Sequence, residues 1–177
     1  MSKKSKESIA SSLLQLLKNY SFQEITISEI CANCDVVRRT FYNNFVTKED
    51  IIEYIVNKHV SEYMDTIRKQ RLNTPRAMAH TYYKFWYEKK EIVSILEENN
   101  LFYILQSDFL NYLPDLATAI GNDENAKLMD ATLLDYVYTF ISSGLCYNLE
   151  KWAKTNYKES YEEVGEVFNV IAHGLMD

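Results

Sequence analysis

Glycine and proline are scarce, 4 and 2 in 177 residues. So few sharp-turn positions argue against hairpin-rich β folds and for helices joined by short connections. Cysteine numbers 3, an odd, low count that does not suggest a disulfide framework. No run reaches the roughly 18 apolar residues of a membrane span. The basic start MSKKSKE leads into no secretion-signal core, because Gln15 and Lys18 interrupt its apolar residues. A cytoplasmic protein with no membrane partner is expected. A glycine-rich phosphate loop, a nucleophile motif and paired metal-ligand spacings are also missing, so neither an enzyme nor a cofactor is expected.

What is present is apolar material with helical period. Hydrophobic residues make up 47% of the chain, enough for a core, and the net charge is −6. The charge is uneven: residues 1–72 hold 11 Lys+Arg against 9 Asp+Glu, residues 73–177 hold 8 against 16. Between Val36 and Lys48 stand three basic residues and no acidic one. A local basic element on an acidic body can meet one phosphate surface while the rest is repelled.

Ile9, Leu13, Leu16 and Leu17 form the stripe of a first helix ending near Asn19. TISE, with Thr26 and Glu29, is a capping box that starts a second. A third is expected over Val36–Phe45. Thr47 caps a fourth, whose stripe of Ile51, Ile55, Val56, His59 and Tyr63 continues to about Gln70. Thr74 and Pro75 open the next, to Glu88, followed by EIVSILEENN and by LFYILQSDFLNYL, halted or kinked at Pro114. GND at 121–123 is a turn, and two long helices close the chain, about Glu124–Lys154 and Glu159–Leu175. No strand-type alternation or internal repeat is found. The fold class is all-α.

The stretch ICANCDVVRRTFYNNF contains a C-x-x-C pair, but Cys146, His59, His80 and His173 are scattered and supply no second pair for a metal. Read as two helices joined by a tight turn, Ile27, Ile30, Cys31 and Cys34 lie on one side of the first. Val36, Phe41 and Phe45 point inward from the second. The cysteines are then compact core residues. The opposite face is left with Arg38, Arg39, Thr40, Tyr42, Asn43 and Asn44, side chains that suit base edges and phosphates in a major groove.

TISEICANCDVVRRTFYNNFVTKEDII resembles the helix-turn-helix and following helix of the TetR/AcrR family of bacterial transcription regulators, over about residues 8–55. RRTFYNNF is similar to a branch that includes activators of dihydroxyacetone-kinase operons. The resemblance implies an N-terminal three-helix helix-turn-helix domain (1–46) and a C-terminal helical bundle for effector binding and dimerisation (47–177), about nine helices in all. It implies a sequence-specific regulator that binds a palindromic double-stranded DNA operator as a homodimer. A repressor under control of a small-molecule effector is expected, with an activator or a protein-partner-dependent adaptor as the alternative. Tyr42 and Lys48 would hold phosphates, Thr26 or Ser28 would flank them, and Arg38, Arg39, Thr40 and Asn43 would face bases. Two departures stand out. Asp35 occupies the turn position where glycine is common, and Val37 replaces the usual capping Ser/Thr, which leaves Asp35 as the expected cap.

In the larger half, Tyr82, Phe85 and Trp86 recur at helical spacing, as do Phe102, Leu105 and Phe109. With Tyr138 they are candidates to line an effector pocket or, equally, to fill the core. The penultimate helix is apolar on two sides, Leu134, Tyr138, Ile141, Leu145 and Leu149 on one, Leu133, Val137, Phe140 and Gly144 on the other. The last helix repeats Val164, Val167, Phe168 and Ile171. A helix with two apolar faces needs two partners. A dimer interface is therefore expected to include Leu134, Ile141, Leu145, Leu149, Val164, Val167, Phe168 and Ile171, with Gly144, Gly165 and Gly174 permitting close approach.

Overall fold

The computed structural model describes residues 3–119 and 130–174. The expected turn at 121–123, the start of the penultimate helix at Glu124 and the end of the last at Leu175 lie outside them. The described residues form nine helices and no strand: α1 Lys3–Leu16, α2 Ile27–Asn33, α3 Arg38–Tyr42, α4 Glu49–Gln70, α5 Pro75–Glu88, α6 Lys90–Glu98, α7 Phe102–Ala119, α8 Ala131–Lys154 and α9 Tyr161–Gly174. The chain divides into two compact units, Met1–Lys58 and His59–Asp177, with the division inside α4.

The first unit is built on Ile9, Leu13, Ile30, Phe41, Ile51 and Val56, all fully buried. Burying such side chains stabilises a fold by about 1.5–3 kcal/mol each. Polar ties fix the register of its helices. Buried Ser12 donates to the Ile30 carbonyl at 2.8 Å, and the Asn33 amide donates to Ser12 Oγ at 3.1 Å, joining α1 to α2. The Glu7 carboxylate accepts from Tyr54 Oη at 2.9 Å and from Lys58 Nζ at 3.1 Å, joining α1 to α4.

The second unit opens on α5, where Thr74 Oγ1 accepts from the Ala77 amide at 3.2 Å and Pro75 takes the first helical position. α9 packs on α5 and α8 on α7. Ser142 Oγ donates to the Gln106 carbonyl at 2.8 Å, and Gln106 Nε2 donates to Ser143 Oγ at 2.8 Å. Pro114 does not halt α7, which continues to Ala119. Proline removes one backbone donor, but its ring is on the exposed side while neighbouring Leu113 and Leu116 are buried. Packing on both sides of the gap keeps the helix going.

Candidate nucleic-acid interface

The start of α2 is fixed by its capping box. The Glu29 amide donates to Thr26 Oγ1 at 3.3 Å, and Glu29 Oε2 accepts from the Thr26 amide at 2.7 Å. Thr26 is exposed, but its hydroxyl is committed, donating to Glu29 Oε2 at 2.7 Å. After α2 the chain turns at Asp35, whose φ of 51° lies in the left-handed region. Aspartate enters that region more readily than most non-glycine residues. The Val36 amide then reaches the Cys31 carbonyl at 3.0 Å. Cys31 is buried, and burial pushes its thiol pKa up. Cys34 Sγ donates to the Ile30 carbonyl at 3.1 Å. Both cysteines serve the helix crossing.

α3 is shorter than the expected Val36–Phe45. It spans five residues, Arg38–Tyr42, with Val37 as a cap that makes no side-chain hydrogen bond. The expected capping by Asp35 does not occur, because Asp35 forms the turn and Val37 begins the helix. Turn-type bonds carry the coil onward, Asn44 amide to Phe41 carbonyl at 2.8 Å and Phe45 amide to the same carbonyl at 2.9 Å. Phe41 and Phe45 are buried and anchor this segment.

The other side of α3 is open. Arg38, Arg39, Asn43 and Tyr42 are exposed, Tyr42 at 55%. Arg38 Nη2 donates to exposed Ser28 Oγ at 2.6 Å, which holds the guanidinium beside the start of α2. Thr40 is half-buried. Asn44 turns back on its own helix, Nδ2 donating to the Thr40 carbonyl at 2.6 Å, and is half-buried. Lys48 points to the α1–α2 connection, where its ammonium donates to the Phe22 and Ile25 carbonyls at 2.5 and 2.6 Å. The structure thus brings Arg38, Arg39, Tyr42 and Asn43 onto one exposed face with Ser28 beside them. Asn44 and Lys48 are turned elsewhere. Val37, at the start of α3, and Val46, in the connection to α4, are also 69% and 73% exposed, and the period of α3 marks neither.

No family model and no curated protein matches this sequence, but solved structures match its fold. The fatty acid degradation regulator FadR from Bacillus halodurans superposes with a TM-score of 0.68 at 15% identity, covering 99% of this chain and 98% of its own. A TetR-family transcriptional regulator from Syntrophomonas wolfei str. Goettingen gives 0.68 at 17% identity, covering 94% and 91%. The fold is that of TetR-family regulators. The dihydroxyacetone kinase operon activator DhaS also matches, at 0.59 and 14% identity over 96% and 94% of the two chains.

In the C-terminal part of this TetR-type fold the aromatic residues pack on one another. Tyr82 and Phe109 have ring centroids 5.2 Å apart and Phe85 and Trp86 5.4 Å. Tyr82, Trp86 and Leu105 are fully buried, Phe102 and Phe109 nearly so, while Phe85 and Tyr138 are half-buried. Tyr82 Oη lies 3.5 Å from Cys146 Sγ. Burial pushes the tyrosine pKa well above its ordinary value and the cysteine thiol to about 12, so both are neutral. The Trp86 indole Nε1 is buried without a hydrogen-bond partner.

The interface candidates separate. Leu145 and Leu149 are buried inside the subunit, Leu134, Ile141, Val164 and Phe168 are half-buried, and Val167 and Ile171 are exposed. On α8 the open apolar stripe is instead Leu133, Tyr136, Phe140 and Tyr147, exposed by 55–69%. A Cβ added at Gly144, on the same stripe, would meet nothing within 4 Å. On α9, Val170 joins Val167 and Ile171 on the exposed side. Leu133 and Phe140 belong to the second apolar row of α8. Sequence period defines both rows without saying which one the subunit core takes.

Among the described residues no helix is long and apolar enough to cross a membrane.

Proposed function

We propose that the chain is a sequence-specific DNA-binding transcriptional regulator that works as a homodimer on a palindromic operator. The observation that carries this is α3. A five-residue helix is anchored by buried Phe41 while Arg38, Arg39, Tyr42 and Asn43 stand exposed opposite. Arginine and asparagine make the bidentate contacts that distinguish guanine and adenine in the major groove, and a tyrosine hydroxyl suits a phosphate. The overall acidity confines DNA contact to this element. Binding, not catalysis, is its work.

One short recognition helix reads few bases, so two copies are required, one per half-site. The exposed stripe of α8 and the exposed valines and isoleucine of α9 supply the dimer surface, since contiguous exposed apolar side chains on a soluble protein mark an interface. DNA-binding duties fall to residues 1–46 and dimerisation to residues 47–177.

Control by a small-molecule effector is supported by the aromatic cluster around Tyr82 and Trp86, whose unpartnered indole N–H is a donor for a ligand acceptor. Binding there would shift α4 and change the separation of the two recognition helices, releasing a repressor from its operator. The likeness to an operon activator favours activation as the second reading. Selection from random-sequence DNA by the purified protein tests the proposal. Enrichment of a two-fold-symmetric site is expected, and recovery of no sequence above input would contradict it.

A further inference from the structure

We propose that Lys48 is a positioning residue that locks the start of α4 to the start of the helix-turn-helix, and that it takes no phosphate. Its ammonium has three protons and no acceptor. All are directed at the segment between α1 and α2: the Phe22 carbonyl at 2.5 Å, the Ile25 carbonyl at 2.6 Å and the Gln23 carbonyl at 3.4 Å. The same nitrogen sits 4.6 Å from the centroid of the Phe22 ring, within the range of a cation–π contact. Phe22 and Ile25 are 4% and 3% exposed, so the ammonium meets a buried wall.

The backbone of Lys48 does a second job. Its carbonyl accepts from the Ile51 amide at 3.1 Å and so opens α4. Ile25, at the other end of the brace, directly precedes the Thr26 cap of α2. One residue therefore ties the first turn of α4 to the residue before the first turn of α2, across 23 positions of sequence. Movement of the first turn of α4 would thereby be passed to the start of α2. Charge-assisted hydrogen bonds are short and strong, and to reach a phosphate the ammonium would have to leave two of them and the ring. The exposed Arg39 and Tyr42 are under no such restraint.

The consequence for DNA rests on the DNA-binding reading, whereas the brace itself does not. Hydrogen exchange on the full-length protein and on Lys48→Met tests the brace without DNA. Amides of residues 22–27 should exchange about tenfold faster in the variant, as loss of hydrogen bonds to a charged group implies, while those of α8 keep their rates. Unchanged exchange at 22–27 overturns the proposal. Should Lys48→Met not fold, Lys48→Gln, whose neutral and shorter side chain loses the charge-assisted bonds and the cation–π contact, carries the same comparison.

The salt dependence of operator binding then separates brace from phosphate contact. A brace predicts an affinity about tenfold lower with the same slope of log K against log salt. A phosphate contact predicts a slope shallower by about 0.9 per subunit. That outcome, or unaltered affinity, overturns it. If the wild type binds no DNA, the DNA-binding reading fails visibly while the exchange data still decide the brace.

Discussion

A Cβ placed on Gly165 would stand 2.5 Å from the Cδ2 of the His80 ring and 3.0 Å from the His80 α-carbon. The ring can rotate, but the α-carbon moves only with α5, so α9 can pack this closely only because residue 165 has no side chain. Gly165→Ala is expected to destabilise the protein by about 1–3 kcal/mol through overpacking, read as a lower denaturation midpoint with an unchanged m-value. The same substitution at Gly144, where a Cβ meets nothing within 4 Å, is expected to stabilise by about 1 kcal/mol through helix propensity alone. It is best measured in a Phe140→Glu background, where no second copy covers that face.

Phe140→Glu itself tests the dimer. Phe140 is 67% exposed, so a carboxylate there costs the isolated subunit little. Buried in an interface between two copies, it would be an unpaired charge facing apolar side chains. Sedimentation should show the dissociation constant rising by roughly thirtyfold or more, the effect of a hot-spot residue worth about 2 kcal/mol. The circular dichroism of the monomer should be unchanged.

Glu7 makes stability depend on pH. The Tyr54 hydroxyl, then Lys58, hold its carboxyl pKa below its ordinary 4.5. A depressed folded pKa contributes stability that is present above pH 4.5 and is lost as the pH falls through the folded value. Glu7 is well solvated, at 37% side-chain exposure, so the contribution is about 1 kcal/mol or less. Wild type and Glu7→Gln should differ by that amount at pH 7 and converge as the pH falls through the lowered folded-state pKa, below 4.5. A difference that did not shrink at all as the pH was lowered from 7 into the acid range would mean the carboxylate charge is not its source.

Much of this was legible in the sequence because it is local. The capping box at Thr26–Glu29, the cap at Thr74, the inward Phe41 and Phe45, and the packing role of Cys31 all follow from spacings of three or four residues. What the sequence leaves open is non-local or depends on choosing between two equally apolar faces. Lys48 looks like a phosphate ligand by motif, yet its partners lie more than twenty residues upstream. Asn44 can face outward by periodicity but bonds instead to the carbonyl one turn back. On α8 both rows are apolar, and packing against α7, α6 and α5 decides that Leu145 and Leu149 go inside while Phe140 and Tyr147 stay out. Asp35 could have been a cap or a turn, and its φ of 51° makes it the turn.

The central claim is that the exposed face of α3 reads DNA. The most direct test is the affinity of Arg38→Ala for the enriched operator and for unrelated duplex, at one fixed salt concentration. Arg38 is exposed and its guanidinium donates to exposed Ser28 Oγ, so the variant should fold as the wild type does. The account predicts operator affinity lower by roughly tenfold to a hundredfold, the worth of one base-reading arginine, with much less change on unrelated DNA. Equal affinity of variant and wild type for the operator would contradict it.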